Sequence, residues 1–233
     1  MIALIATIVI LIVCTGQFYL KNSTLTSFTT TISAIIAMVV AMSYYEVLAA
    51  FIISKGFMVQ WAQALCMLLI FAIVFAILKA LCDLVIGANI EFGPKAKTSA
   101  AIVGGLVTGI IISGIFVIVL TLAPMGRSIP YERFGEPLRI SQASGPAIGA
   151  DAIVTGLYRF LSGGAFTSGK NFAKYHPQYI DQLHLNRYAA KGESHVAIVA
   201  GKSAISISKT GVYIQGDEKK DTIVELNING SSI

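Results

Sequence analysis

Four apolar stretches, Met1 to Leu20, Thr31 to Ile53, Phe57 to Leu78 and Ser99 to Ala123, leave this chain few ways to fold. As a helix rising about 1.5 Å per residue, each is long enough to cross a hydrocarbon core of about 30 Å. The only formal charge inside them is Glu46. A helix buried in a soluble bundle would show one polar face, whereas these are apolar on all sides, so the solvent they require is lipid. The connections are Lys21 to Thr30, the tight Ser54-Lys55-Gly56 and the longer Lys79 to Thr98. Such short links make the second and third stretches an antiparallel hairpin.

Charge follows the same division. Soluble domains carry about 25% charged residues, and this chain carries 12%. The first 122 residues hold 5 of the 17 Lys+Arg and 3 of the 12 Asp+Glu. Net charge is +2 on that part and +3 on the rest, with no run of five like charges, which excludes a nucleic-acid face. Cys14, Cys66 and Cys82 all lie in apolar segments, so neither a disulfide framework nor a metal cluster is expected. Met1 to Leu20 lacks the positive start and small-residue cleavage site of a secretory signal, so it reads as a retained helix.

Beyond Ala123 the texture changes: Pro124, Pro130, Pro137 and Pro146 fall within 23 residues of polar, Gly-containing sequence, an extended linker. Ile153, Val154, Leu157, Tyr158 and Leu161 stand at helical spacing, and Pro177 opens a second short helix to about Tyr188. Alternation then appears at His195 to Ala200, at Ile205, Ile207, Val212 and Ile214 around a Lys209-Thr210-Gly211 turn, and at Val224, Leu226 and Ile228. The expected fold is an α-helical membrane protein: a four-helix transmembrane domain (1–123), a linker (124–150) and a small extramembrane α+β domain (151–233) with two short helices and an antiparallel sheet.

Two features inside the spans stand out. Ala101, Gly105, Gly109 and Ser113 recur every four residues along one face of the fourth helix, where small side chains admit another backbone. Gly104 and Gly114 widen the same groove. The partner helix can belong to this chain or to a second copy, so the stripe admits a homo-oligomer. Glu46, beside Tyr44 and Tyr45, sits seven residues from the end of its span, about 10 Å below the interface. A carboxyl at that depth costs up to about 3 kcal/mol and marks a functional site by default. Folding the hairpin about Lys55 brings Gln63 nearest to it, with Gln60 one turn away. An acid that merely steadies the hairpin is the plainer reading, an ion path the sharper one. Lys79 and Asp83 are spaced to pair at the membrane surface.

Other motifs fail. Gly164 to Lys170 has phosphate-loop spacing, but Asn171 replaces the Mg²⁺-binding hydroxyl and a helix precedes it. Gly201-Lys202-Ser203 lacks the leading glycine. His176, His184 and His195 have no metal-ligand spacing and read as surface residues. No Gly-x-Ser-x-Gly elbow occurs. No catalytic residue, cofactor or metal is therefore assigned.

The membrane half resembles the bacterial colicin V production protein family, small inner-membrane proteins with four closely spaced helices. Ile35 to Leu48, ending Met42-Ser43-Tyr44-Tyr45-Glu46-Val47-Leu48, is similar to the family's second span and its tyrosine pair. Met67 to Cys82 resembles the third span in length and placement. Lys97 to Gly109 resembles the glycine-stepped start of the fourth, with Gly105 and Gly109 matching, Ala101 replacing a glycine, and Lys97 and Thr108 standing where members often carry Asp and Arg. Lys21 to Thr30 lacks the family's Arg-containing charges. The resemblance covers about the first 125 residues, and the C-terminal half is similar to the variable extensions of longer members. It implies a non-enzymatic scaffold linked with toxin export, biofilm or envelope stress, lodged in the inner membrane with the C-terminus outside. The expected partners are the lipid bilayer and an envelope component that meets the C-terminal domain. Loop charges tie at four against four between the two orientations, so that placement leans on the resemblance and on an uncharged, easily translocated N-terminus. A small channel or transporter subunit with Glu46 in its path is the alternative.

Overall fold

The computed structural model describes residues 2–21, 24–85, 93–126, 128–134, 143–164, 172, 176, 178–189, 205–206 and 227–228. Four helices long and apolar enough to cross a membrane are present: α1 (Ile2–Lys21), α2 (Thr24–Ser54), α3 (Ala62–Val85) and α4 (Pro94–Leu122). Two shorter ones follow, α5 (Ala150–Gly163) and α6 (Tyr179–Ala189). Residues Met1–Val196 form one compact unit and Ala197–Ile233 another. In the second, the described residues are an antiparallel pair, Ile205–Ser206 with Asn227–Ile228, in which Ile205 faces Ile228 and Ser206 faces Asn227. The other expected strand positions, the Lys209-Thr210-Gly211 turn, the phosphate-loop-like 165–170 and His195 lie outside the described residues.

The helix limits depart from the apolar windows for local reasons. α2 starts seven residues early, at Thr24, because the hydroxyls of its first turns bond back along the helix: Thr29 Oγ1 donates to Leu25 O at 3.1 Å and Thr31 Oγ1 to Ser27 O at 2.9 Å. A polar side chain that satisfies itself in this way can enter the bundle, and Thr29 and Thr31 are half-buried there. α4 begins at Pro94, the favoured first helical position, behind Gly93 at φ 22°. The α2–α3 turn is longer than three residues. It runs from Lys55 to Trp61 through Gly56 (φ 70°) and Met58 (φ 45°), and Trp61 N–H closes it on Met58 O at 2.9 Å.

α4 is the central element, packed against α1, α2, α3 and α5, while α2 also packs along α3. Of its most apolar 18-residue window 61% is buried, against 17% for α1 and for α3, whose outer faces are left to lipid. α2 and α4 run parallel and are tied where Thr108 Oγ1 donates to Thr31 Oγ1 at 3.2 Å and the Thr31 hydroxyl lies 3.3 Å from Gly104 O. α1 runs antiparallel to α4, and the segment after α4 returns to its start, where Ala3 N–H donates to Pro130 O at 3.2 Å.

Candidate functional site

Every member of the four-residue stripe is buried. Its partner is α1 of the same chain. A Cβ on Gly105 would lie 2.7 Å from Thr15 Cα, and one on Gly109 would lie 2.9 Å from Leu11 Cδ2 and 3.2 Å from Leu11 Cα. Ala101 is 1% exposed, and Ser113 is fully enclosed with its Oγ donating to Ile110 O at 3.1 Å. Of the two flanking glycines, Gly104 borders this groove, facing the Phe18 ring of α1 as well as Thr31 Oγ1 of α2, whereas Gly114 lies outside it and faces Ala150 O and Val154 Cγ2 of α5. Three neighbours, α1, α2 and α5, therefore approach α4 closely at its small residues.

Glu46 does not meet Gln63. Ser33 Oγ lies 3.8 Å from Cys82 Sγ, which places residue 46 level with residue 69 on the antiparallel α3. Gln63 is six positions away, about 9 Å along the axis. The longer turn moved the hairpin's pivot. Gln63 is half-buried in the first turn of α3, Gln60 is exposed in the α2–α3 turn, and the Lys79–Asp83 pair forms at 3.3 Å.

The partners of Glu46 come from α2 itself and from the polar half of the chain. Tyr45 Oη donates to Glu46 Oε1 at 2.7 Å, and Tyr45 and Tyr179 hydroxyls are 2.7 Å apart. A phenol has one proton. With that of Tyr45 committed to the carboxylate, Tyr179 is the donor between the two rings, and the row runs Tyr179 to Tyr45 to Glu46. On the other side His176 Nε2 stands 4.0 Å from Glu46 Oε1, and its Nδ1 is 3.1 Å from Gln182 Oε1. If Nδ1 donates to that oxygen, Nε2 can pair with Glu46 only when the imidazole is protonated. Phe172 holds this row, with its ring 4.7 Å from Tyr158, 5.2 Å from His176 and 5.2 Å from Tyr179. Ser43 Oγ donates to Val39 O at 2.7 Å, so the 2.9 Å bond joining it to Tyr158 is donated by the phenol.

A second cluster lies below α5. Tyr131 Oη donates to Asp151 Oδ2 at 2.5 Å, its ring lies 4.8 Å from that of His184 in a tilted contact, and Arg133 Nε pairs with Asp181. Asp151 also accepts from Ala152 N–H at 2.9 Å in the first turn of α5, where a carboxylate complements the helix dipole. His184, read from the sequence as a surface residue, is 1% exposed. Burial raises the Tyr131 phenol well above its ordinary range, and the neighbouring Asp151 charge adds to this. Burial does the same to Tyr179, against the hydrogen bond it shares with Tyr45. At Arg133 burial is outweighed by Asp181, which holds the guanidinium charged.

The sequence carried a signal for these contacts that the apolar periodicity hid. Asp151, Thr155, Tyr158 and Ser162 repeat at helical spacing and, with Val154, form the buried side of α5, while Ile153 faces outward. Among the described residues no group of three His, Cys, Asp or Glu is placed to hold a metal.

Taken together, the spans and these clusters define a multi-pass membrane protein whose fourth helix is its packing centre and whose α5 and α6 are pinned to the bundle by phenols and carboxylates. Comparison with family models, with curated proteins and with solved structures finds no match.

Proposed function

We propose that the protein is a non-enzymatic scaffold of the bacterial inner membrane, similar in its membrane half to the colicin V production proteins and concerned with toxin export, biofilm formation or envelope stress. The observation that carries this reading is the closure of the bundle on itself. The small-residue face of α4 is filled by α1, and α5 and α6 are bonded to α2, so the helices of this unit close on one another. The C-terminal unit faces the extracytoplasmic side and meets an envelope partner.

A channel or transporter subunit is the second reading, favoured by the row from Tyr179 through Tyr45 and Glu46 to His176. One variant separates the two. Glu46→Gln keeps the acceptor for Tyr45 and removes the charge. A scaffold with this change restores the envelope phenotype of a deletion strain, and vesicles containing it pass protons or ions no differently from wild type. Loss of both complementation and flux would establish transport and overturn the scaffold reading.

A further inference from the structure

We propose that α5 is seated at the hydrocarbon edge of the bilayer, with Ile153 and Phe160 inserted among lipid acyl chains. The level of that edge follows from α1. Its 20 residues span about 30 Å, so all of them are needed to cross. Ala3, in the first turn, clusters with Val117 and Tyr131. The edge therefore lies near Val117. α5 meets α4 at Gly114, almost one turn further into the apolar layer, so closely that a Cβ there would come within 2.5 Å of Ala150 O. Tyr158 then anchors the helix to Ser43, twelve residues beyond the Thr31 contacts with Gly104 and Thr108 on the parallel α4 and so about level with Val117. One attachment point lies just inside the edge and the other at it.

The buried side of α5 combines Val154 and Tyr158 with Asp151, Thr155 and Ser162, while two large apolar side chains are left on its outer side, Ile153 49% and Phe160 78% exposed. These two are seven residues apart and so share one outer stripe. On a helix docked in water that outer stripe would carry polar side chains. In lipid the costs are inverted: exposed apolar groups are solvated by acyl chains and polar groups must find partners inside. Asp151 has found Tyr131 and the Ala152 N–H. The exposed outer faces of α1 (Ile5, Ile12) and α3 (Ile73, Ile77) carry the same kind of side chain. Arg159 lies exposed on the stripe beside Phe160, where a long side chain reaches headgroup level from a helix at the boundary.

Trp61 is the single tryptophan, which allows a direct test. In a Trp61→Phe background, Phe160→Trp and Ile153→Trp each place one fluorophore on the outer stripe. The full chain is reconstituted into phosphatidylcholine and phosphatidylglycerol vesicles with brominated acyl chains. Both variants should lose most of their emission relative to unbrominated vesicles and little of it to aqueous iodide. Quenching by iodide without quenching by bromolipid would place α5 in water and overturn the proposal. Protection from both quenchers would mean that a protein surface covers the stripe, which overturns it equally. Because both substitutions fall on exposed positions, circular dichroism identical to that of the parent confirms that the reading reports location and not misfolding.

Discussion

At residue scale the consequential side chain is Tyr45, which lies between a carboxylate and a second phenol. Removing its hydroxyl takes the donor from Glu46 and the acceptor from Tyr179 at once. Tyr45→Phe should therefore cost about 1–3 kcal/mol, the penalty for leaving buried polar groups unpaired. Tyr179→Phe removes a donor and leaves Tyr45 still bonded to Glu46, so its cost should be smaller. Thermal unfolding in detergent, followed by near-UV circular dichroism, ranks the two, and an equal loss would contradict the row as drawn. The raised phenols of Tyr131 and Tyr179 set a second expectation. An unfolded tyrosine ionises near pH 10, while these keep their protons further. The stabilisation from holding the proton in the fold is complete below about pH 10 and is lost as pH rises through the folded values. Unfolding midpoints should fall above that pH, and Tyr131→Phe should blunt the fall. Glu46 was visible in the sequence as the one charge within the spans, but its partners were not. Tyr179 is 134 residues away, and no local spacing encodes such a contact.

At the scale of elements, the four spans were legible because their length and unbroken apolarity have no other physical use. Their ends were not, since an apolar window discards the serines and threonines that α2 satisfies internally. The small-residue stripe was equally plain along α4, and what lay opposite it was not. Cys14 Cβ lies 3.4 Å from the position a Cβ on Gly109 would take, close to the separation of a disulfide. With Cys66 and Cys82 replaced by serine, Gly109→Cys should oxidise with Cys14 to a product of monomer mass. A disulfide-linked dimer would instead assign the stripe to a second copy. Adding Gly105→Leu forces a side chain into the Thr15 backbone, at a cost of about 1–3 kcal/mol for overpacking, and should suppress the crosslink. The α5 periodicity was readable too: of its apolar set Val154 and Tyr158 are buried, Leu157 and Leu161 partly so, and Ile153 faces outward. The rule that apolar residues face inward assumes water outside.

For the whole molecule, the solvent boundary decides what each half can do. Composition divided the chain sharply near residue 123, but α5 and α6 belong to the same compact unit as the spans. Their polar residues are polar because they bond to the bundle. Orientation was never legible in the charges, which balance across the loops. Alkaline phosphatase fused after Ile233 should be active and a fluorescent fusion at the same place dark, if the C-terminus lies outside. A silent phosphatase with bright fluorescence would reverse the topology and move the partner of the C-terminal unit into the cytoplasm.

The pairing of α1 with α4 also fixes an order of birth. The first helix made has its close-packed partner in the last span, so α1 waits in the lipid while α2 and α3 close their hairpin as neighbours in the chain. Only when α4 leaves the insertion machinery can the bundle lock, and the bond from Ala3 to Pro130 follows as the segment after α4 emerges. A chain halted before Gly105 would hold an intact hairpin and an orphaned first helix, the state in which a membrane quality-control protease would find it.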